Sequence, residues 1–205
     1  MACRKRLRPE QRRQLILDSA LNAFSERGYH AASVGEIARG AGTTKAVIYD
    51  HVASKRELYD AVVRRELESL LEVTAGAGAQ AGGGQESLRA ILEAFFGHIE
   101  SRPQARRVLF ETVDASEDIG IDQRATQMTA TAAIAARLAA EANLLCGQPD
   151  REIKLEMVAQ MLKSTMNGLA DWWYDHPEVP RAQIVDAAAE FLLSALSAFV
   201  DSPPG

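Results

Sequence analysis

Apolar and polar positions recur with the period of a helix along nearly the whole chain, and glycines and capping residues divide that pattern into separate helices. In the first segment, 10–27, Leu15, Ile16, Ala20, Ala23 and Phe24 share one face and arginines occupy the other. This predicts an amphipathic helix with Gly28 as its C-cap. Ser33-Val34-Gly35-Glu36 has the form of a capping box, in which the serine hydroxyl and the glutamate carboxylate each satisfy an orphan amide. A short second helix starts there and ends at Gly40 and Gly42. Thr44 is placed to cap a third helix running to about Val52, and Ser54-Lys55-Arg56-Glu57 is a second box that opens a fourth. The fourth carries Leu58, Val62, Leu67, Leu70 and Leu71 over 55–74 and is expected to end in AGAGAQAGGG, residues 75–84, whose glycines disfavour helix.

Beyond this loop the pattern predicts helices over 88–100, near 106–113, along an alanine-rich stretch at 122–145, and over 150–174 and 181–200. No alternating run with hairpin turns is present. The expected fold is therefore all-α: a small head, 1–54, and a larger helical body, 55–205, reached through the linking helix 55–74. The last two helices are apolar on more than one face. In the first of them, Met157, Met161 and Trp172 lie near one side and Val158, Leu162, Thr165 and Leu169 near the other. Such a helix is buried on several sides, in a core or at a subunit interface.

Composition adds little, at 47% hydrophobic and 25% charged residues. There is no apolar run of the ~20 residues that span a bilayer, and MACRKRLRPEQRRQ is not followed by the apolar core of a signal peptide. A cytoplasmic protein without a membrane partner is expected. Cys3 and Cys146 have neither metal-ligand nor disulfide spacing. Charge distribution says more. Residues 1–65 hold 13 Lys and Arg against 7 Asp and Glu, whereas the remainder holds 10 against 21. A basic head on an acidic body is the electrostatic footprint of polyanion binding by the head. The four histidines, His30, His51, His98 and His176, stand in no paired ligand motif, and the chain lacks a nucleophile elbow, a phosphate loop and a dinucleotide fingerprint. No catalysis, metal or cofactor is expected.

Residues 34–53, VGEIARGAGTTKAVIYDHVA, have the spacing of a helix-turn-helix. Ala38 allows the helices to approach, Gly42 takes the turn, and Ile37, Ala41 and Ile48 face inward. The third helix is then a recognition helix for a DNA major groove, with Thr44, Lys45, Ala46, Val47, Tyr49, Asp50 and His51 outward. Lys45 and Tyr49, four apart, share a face. Lysine suits guanine edges or phosphate, tyrosine and histidine donate to phosphate, and Ala46 and Val47 suit thymine methyls. Lys55 stands at the positive end of its own helix dipole, an arrangement that an arriving phosphate would turn from unfavourable to favourable. Ser33 offers a similar amide-rich site.

Residues from about Ile16 to Leu58, with a helix ending FSERGYHAAS, then IARGAG, then KAVIYDHVASKREL, resemble the N-terminal DNA-binding domain of TetR-family transcriptional regulators. The resemblance implies a homodimeric regulator, usually a repressor, that binds a palindromic operator in double-stranded DNA and takes a small-molecule effector in its C-terminal domain. It implies DNA contacts at Ser33, Thr44, Lys45, Tyr49, His51 and Lys55. The chain departs from the family pattern at Thr43, Ala46, Val47 and Val52, where an aliphatic residue, glycine, threonine and phenylalanine are common. The departures at Ala46 and Val47 leave base preference open. In such proteins the last two helices of each copy form a four-helix bundle across the dimer. Phe95, Phe96, Phe110, Met128, Met161, Met166 and Trp172 are the candidates to line an apolar effector pocket, with plain core as the other reading. A body that serves only dimerisation or a protein partner is the alternative to effector binding.

Overall fold

The computed structural model describes residues 8–110, 128–138 and 150–200. Among them are nine helical segments and no strand. These are α1 (Pro9–Ala31), α2 (Val34–Gly40), α3 (Lys45–Tyr49), α4 (Lys55–Gln80), α5 (Gly84–Ser101), α6 (Pro103–Phe110), α7 (128–138), α8 (Arg151–Tyr174) and α9 (Arg181–Val200). Arg4, Lys5 and Arg6 at the basic N-terminus, both cysteines, and residues 111–113, 122–127 and 139–145 of the expected helices lie outside the described residues. No helix among the described residues is long and apolar enough to cross a membrane.

The chain forms two compact units, Met1–Glu66 with Pro103–Asp122 and Leu67–Arg102 with Gln123–Gly205. The first differs from the expected head by gaining the start of α4 and the whole of α6. In it α1 packs against both α2 and α6, and α2 against α3. The buried apolar residues of this unit include Ile16, Leu17, Ala20, Leu21 and Phe24 of α1, Ile37 and Ala38 of α2, Ile48 of α3, Leu58 and Val62 of α4, and Ala105, Val108 and Leu109 of α6. The buried face of α1 is thus rotated from the predicted one: Leu15 is exposed, and Leu17 and Leu21 are inside. Besides α2, α1 has a second partner in α6, which lies far away in sequence, so the buried arc is not fixed by the local pattern alone. At Gly28 the helix breaks with φ 73° and ψ 169°. This is not the left-handed helical conformation of an ordinary glycine cap but a region open essentially to glycine alone. Glu66 is fully buried, with its carboxylate on the Arg65 guanidinium at 2.8 Å, and Arg65 also reaches Asp18 at 2.8 Å. A buried charge is tolerated because it is paired.

In the second unit α5 runs against α9, and α8 also packs on α9. The buried apolar residues of this unit include Leu92, Phe95, Phe96 and Ile99 of α5, Leu155, Val158, Ala159, Leu162 and Trp173 of α8, and Ile184, Val185, Ala188 and Leu192 of α9. Arg181 at the start of α9 binds Glu93 at 2.8 Å and also Glu100, and Arg89 pairs with Asp186. Glu93 first, and then Glu100, raise the Arg181 pKa.

The expected loop at 75–84 is a correction. α4 continues through Gly76 and Gly78 to Gln80, and the interruption shrinks to residues 81–83. Glycine costs a helix roughly 1 kcal/mol relative to alanine, so tertiary contacts must offset it. They are visible at Gly78. The Ser87 hydroxyl donates to its carbonyl at 3.1 Å, Arg137 donates to the Ala75 carbonyl at 3.4 Å, and a Cβ on Gly78 would stand 2.2 Å from Arg137 Nη2 and 2.9 Å from Ile91 Cδ1. Glycine is what lets α5 and α7 come this close to α4.

Candidate nucleic-acid interface

α3 is only five residues long, so its placement rests on its ends. At the end of α2, Gly42 adopts φ 64°, its N–H donates to the Arg39 carbonyl at 3.1 Å, and the Thr43 N–H donates to the Ala38 carbonyl at 2.9 Å. Those two bonds make a Schellman turn, which requires a residue at ease with positive φ. Thr44 then caps α3 by accepting the Val47 N–H at 3.4 Å, and fully buried Ile48 anchors α3 in the core. α2 is fixed to α1 in turn: Ser19 donates to the Ile37 carbonyl at 2.9 Å, and a Cβ on Gly40 would lie 2.4 Å from Ser19 Oγ. Ala38 and Ile37 are buried as the helix-turn-helix spacing requires, while Ala41 is half-buried.

With α3 so held, Lys45, Ala46 and Tyr49 are exposed, Tyr49 keeping 49% of its surface. Val47 and His51 are half-buried, and Thr44 and Ser33 are exposed. The Lys45 stem crosses the start of α2. A Cβ at Gly35 would stand 2.6 Å from Lys45 Cε and 3.4 Å from Ser33 Oγ, so the missing side chain brings Lys45 and Ser33 together.

The capping box at Ser33 does not form as expected. Ser33 Oγ accepts the Gly35 N–H at 3.2 Å, and the Glu36 carboxylate binds Arg27 at 2.7 Å instead of turning back. An arginine one helix away outcompetes the local amide because its bond is charge-assisted on both sides. At α4 the second box is displaced by one residue: Ser54 Oγ accepts the Glu57 N–H at 3.1 Å, but Glu57 accepts from Ala53 at 2.5 Å.

Lys55 is the larger departure. It was expected to stand against its own dipole, yet its ammonium reaches back to donate to the His30 carbonyl at 3.0 Å and lies 4.7 Å from the centre of the Tyr29 ring. Partial burial there lowers the ammonium pKa. The carbonyl lies just beyond the break at Gly28, and its oxygen together with the ring face compensates the cation within the protein. Sequence reading missed Tyr29 and His30 as part of this site. The one available signal was an aromatic residue directly after a helix-stopping glycine.

The effector candidates differ in exposure. Phe95 and Phe96 are buried edge to face at 5.1 Å, and Phe96 meets Trp173 in the same manner at 5.7 Å. Trp173 is the inner tryptophan, tied to the following loop by its indole N–H on the Val179 carbonyl at 2.7 Å, whereas Trp172 remains 46% exposed. Met128 and Met161 are also exposed, Met166 is half-buried, and half-buried Phe110 belongs to the first unit. His98 and Lys163 are buried polar groups of the second unit. Among the described residues no group of His, Cys, Asp and Glu could hold a metal ion.

Comparison with known proteins matches two stretches of the chain. Residues 16–62 match the family described as bacterial regulatory proteins, tetR family, and residues 74–205, well over half of the chain, match the tetracyclin repressor-like C-terminal domain. The HTH-type transcriptional activator FasR of Mycolicibacterium smegmatis is 42% identical over 106 residues, covering 52% of this chain and 48% of FasR. The HTH-type transcriptional repressor AcnR of Corynebacterium glutamicum is 30% identical over 86 residues, covering 42% of this chain and 43% of AcnR. The chain thus spans about half, or less, of the length of the curated relatives it matches. A TetR-like transcriptional regulator from Rhodococcus sp. RHA1 superposes with a TM-score of 0.68 at 28% identity, covering 97% of this chain and 100% of that one. FadR from Bacillus subtilis, solved with stearoyl-CoA, superposes at 0.75 with 16% identity over 88% of this chain and 97% of its own, a likeness of fold alone.

Proposed function

The chain belongs to the TetR family of bacterial regulatory proteins, and from this premise we propose that it is a homodimeric DNA-binding repressor, released from a palindromic operator by a small, largely apolar ligand. The observation that carries DNA binding is the exposed face of α3, with Lys45, Ala46 and Tyr49 outward behind a rigid glycine turn. Lys45, laid over Gly35 toward Ser33, meets a backbone phosphate together with that hydroxyl. Ala46 and Tyr49 are left for the groove, with Val47 at their edge. Thr44, His51 and Lys55 complete the phosphate contacts, and such a regulator works in the cytoplasm.

Dimerisation is supported by the outer face of α8. Ile153, Met157, Met161 and Trp172 recur there at helical spacing and are exposed, as is Phe191 of α9 at 61%. A row of large apolar groups in water is unfavourable and is relieved by a second copy of the same face. Two-fold symmetry then matches half-sites one DNA turn, roughly 34–36 Å, apart. For the effector, the support is the buried aromatic group of Phe95, Phe96 and Trp173. A ligand releases DNA only by binding one conformation better than the other.

The test begins with duplexes selected from a random pool by the full chain. Recovery of a palindrome protected on two half-sites supports the reading, and recovery of nothing above background removes it. A fatty acyl-CoA is a reasonable first probe, since one structural neighbour was solved with stearoyl-CoA. If no compound in an apolar panel changes thermal stability or DNA affinity, the body serves dimerisation or a protein partner instead. The sign of regulation belongs to the operator's position relative to the promoter, and FasR is named an activator where AcnR is named a repressor. A reporter fused to the selected site decides it.

A further inference from the structure

We propose that Tyr29 is a positioning residue for DNA binding: together with the His30 carbonyl, its ring pre-orders the Lys55 ammonium for a phosphate. This rests on the reading of Lys55 as a DNA contact. The arrangement is built in three layers. Gly28, at φ 73° and ψ 169°, breaks α1 so that residues 29–31 turn back, and this directs the His30 carbonyl at α4. Empty space surrounds the position where a Gly28 Cβ would stand, so it is the backbone conformation and not room that demands glycine. The Tyr29 ring is then held by aromatic neighbours: Tyr59 at 5.2 Å, one turn beyond Lys55 on α4, and Phe24 at 6.0 Å, with the His30 ring edge-on at 5.3 Å. Phe24 and Tyr59 are themselves buried and packed edge to face at 5.1 Å. Last, Lys55 lies over that ring with one N–H on the carbonyl.

A lysine free in water loses its rotamer freedom when it meets a phosphate, and that loss weakens binding. Here the loss is taken in folding. An ammonium has three N–H groups, and the carbonyl occupies one, so two remain for the anion. The ring face holds the cation by attraction without consuming a donor. Positive charge is thereby presented at a defined place between the end of α1 and the start of α4.

The experiment is a double-mutant cycle on the full chain, reading affinity for the duplex selected by the wild-type protein, with Tyr29→Leu, Lys55→Ala and both together. Tyr29→Leu is expected to weaken binding about 2- to 10-fold per head, on the order of 4- to 100-fold for a dimer. In the Lys55→Ala background it should cost nothing further, and Tyr29→Phe should restore affinity because the ring face returns. A purely structural tyrosine would cost the same in both backgrounds, and additive effects overturn the proposal. Should Tyr29→Leu fold poorly, the Lys55 side-chain proton shifts in the folded Tyr29→Phe protein and the wild type decide: an upfield ring-current shift supports the stacking, and bulk-water values overturn it. Loss of all DNA binding by the wild type defeats the proposed function itself, a result distinct from additivity in a protein that binds.

Discussion

The two units expose helical faces of opposite character. On α3 one large apolar residue, Ile48, is buried and the exposed positions are a lysine, an alanine and a tyrosine, next to the compensated cation of Lys55. On α8 the buried face is complete, with Leu155, Val158, Ala159 and Leu162, and yet the opposite face carries Ile153, Met157, Met161 and Trp172. The first face suits a charged partner with hydrogen-bonding edges, and the second suits a dry partner of its own kind. One helical period therefore supports two kinds of recognition, distinguished by what is left over once the core is filled.

Salt separates them most widely. If the dimer makes about 6–10 phosphate contacts, raising salt from roughly 50 to 200 mM should lower DNA affinity by about 10³–10⁵ through lost counterion release. Dimer assembly on an apolar face should hold steady or strengthen over the same range. Anisotropy titrations beside sedimentation measure both, and parallel weakening would dissolve the contrast.

Next comes Met161→Glu, which places a charge in the apolar row. We expect dimer dissociation to rise on the order of 100-fold, because a carboxylate would be buried without a partner, with loss of palindrome binding as a consequence. The unfolding temperature of the separated chain should scarcely move, since Met161 is exposed in the single chain. An unchanged sedimentation profile would place the dimer interface elsewhere.

Gly28→Ala acts on the head alone. Its conformation is nearly closed to alanine, so a destabilisation of about 1–3 kcal/mol is expected in thermal or urea unfolding, with the oligomeric state intact. Smallest is Tyr49→Phe, which removes only a hydroxyl from an exposed ring. DNA affinity should fall a few-fold, in line with about 0.5–1.5 kcal/mol for a hydrogen bond, at constant stability and assembly. A drop in unfolding temperature would mean that Tyr49 packs where the structure leaves it open.

Much of the head was legible because its signals are local. Gly42 at the turn, Thr44 as the cap of α3 and Ile37 and Ile48 as inward residues are stated by neighbours within a turn or two, and each took its predicted place. The basic charge of residues 1–65 pointed to the same face before any fold was known. Helix periods and ends in the body were readable for the same reason, α9 running over the predicted 181–200.

What the linear pattern left open was settled by contacts between residues far apart in the chain. Leu15 and Leu17 are equally apolar, and the fold buries the second and leaves the first exposed. Trp172 and Trp173 are adjacent and identical, and the fold buries the second. Gly76 and Gly78 argue for a loop until Arg137 and Ser87 compensate their cost, and Lys55 argues for an unfavourable cation until His30 and Tyr29 come beneath it. Periodicity and caps act through the backbone within one turn, so the order of residues is enough to determine them. Choosing which apolar group is buried, or which charge is compensated, requires a partner from another helix, and that partner exists only after the chain has folded.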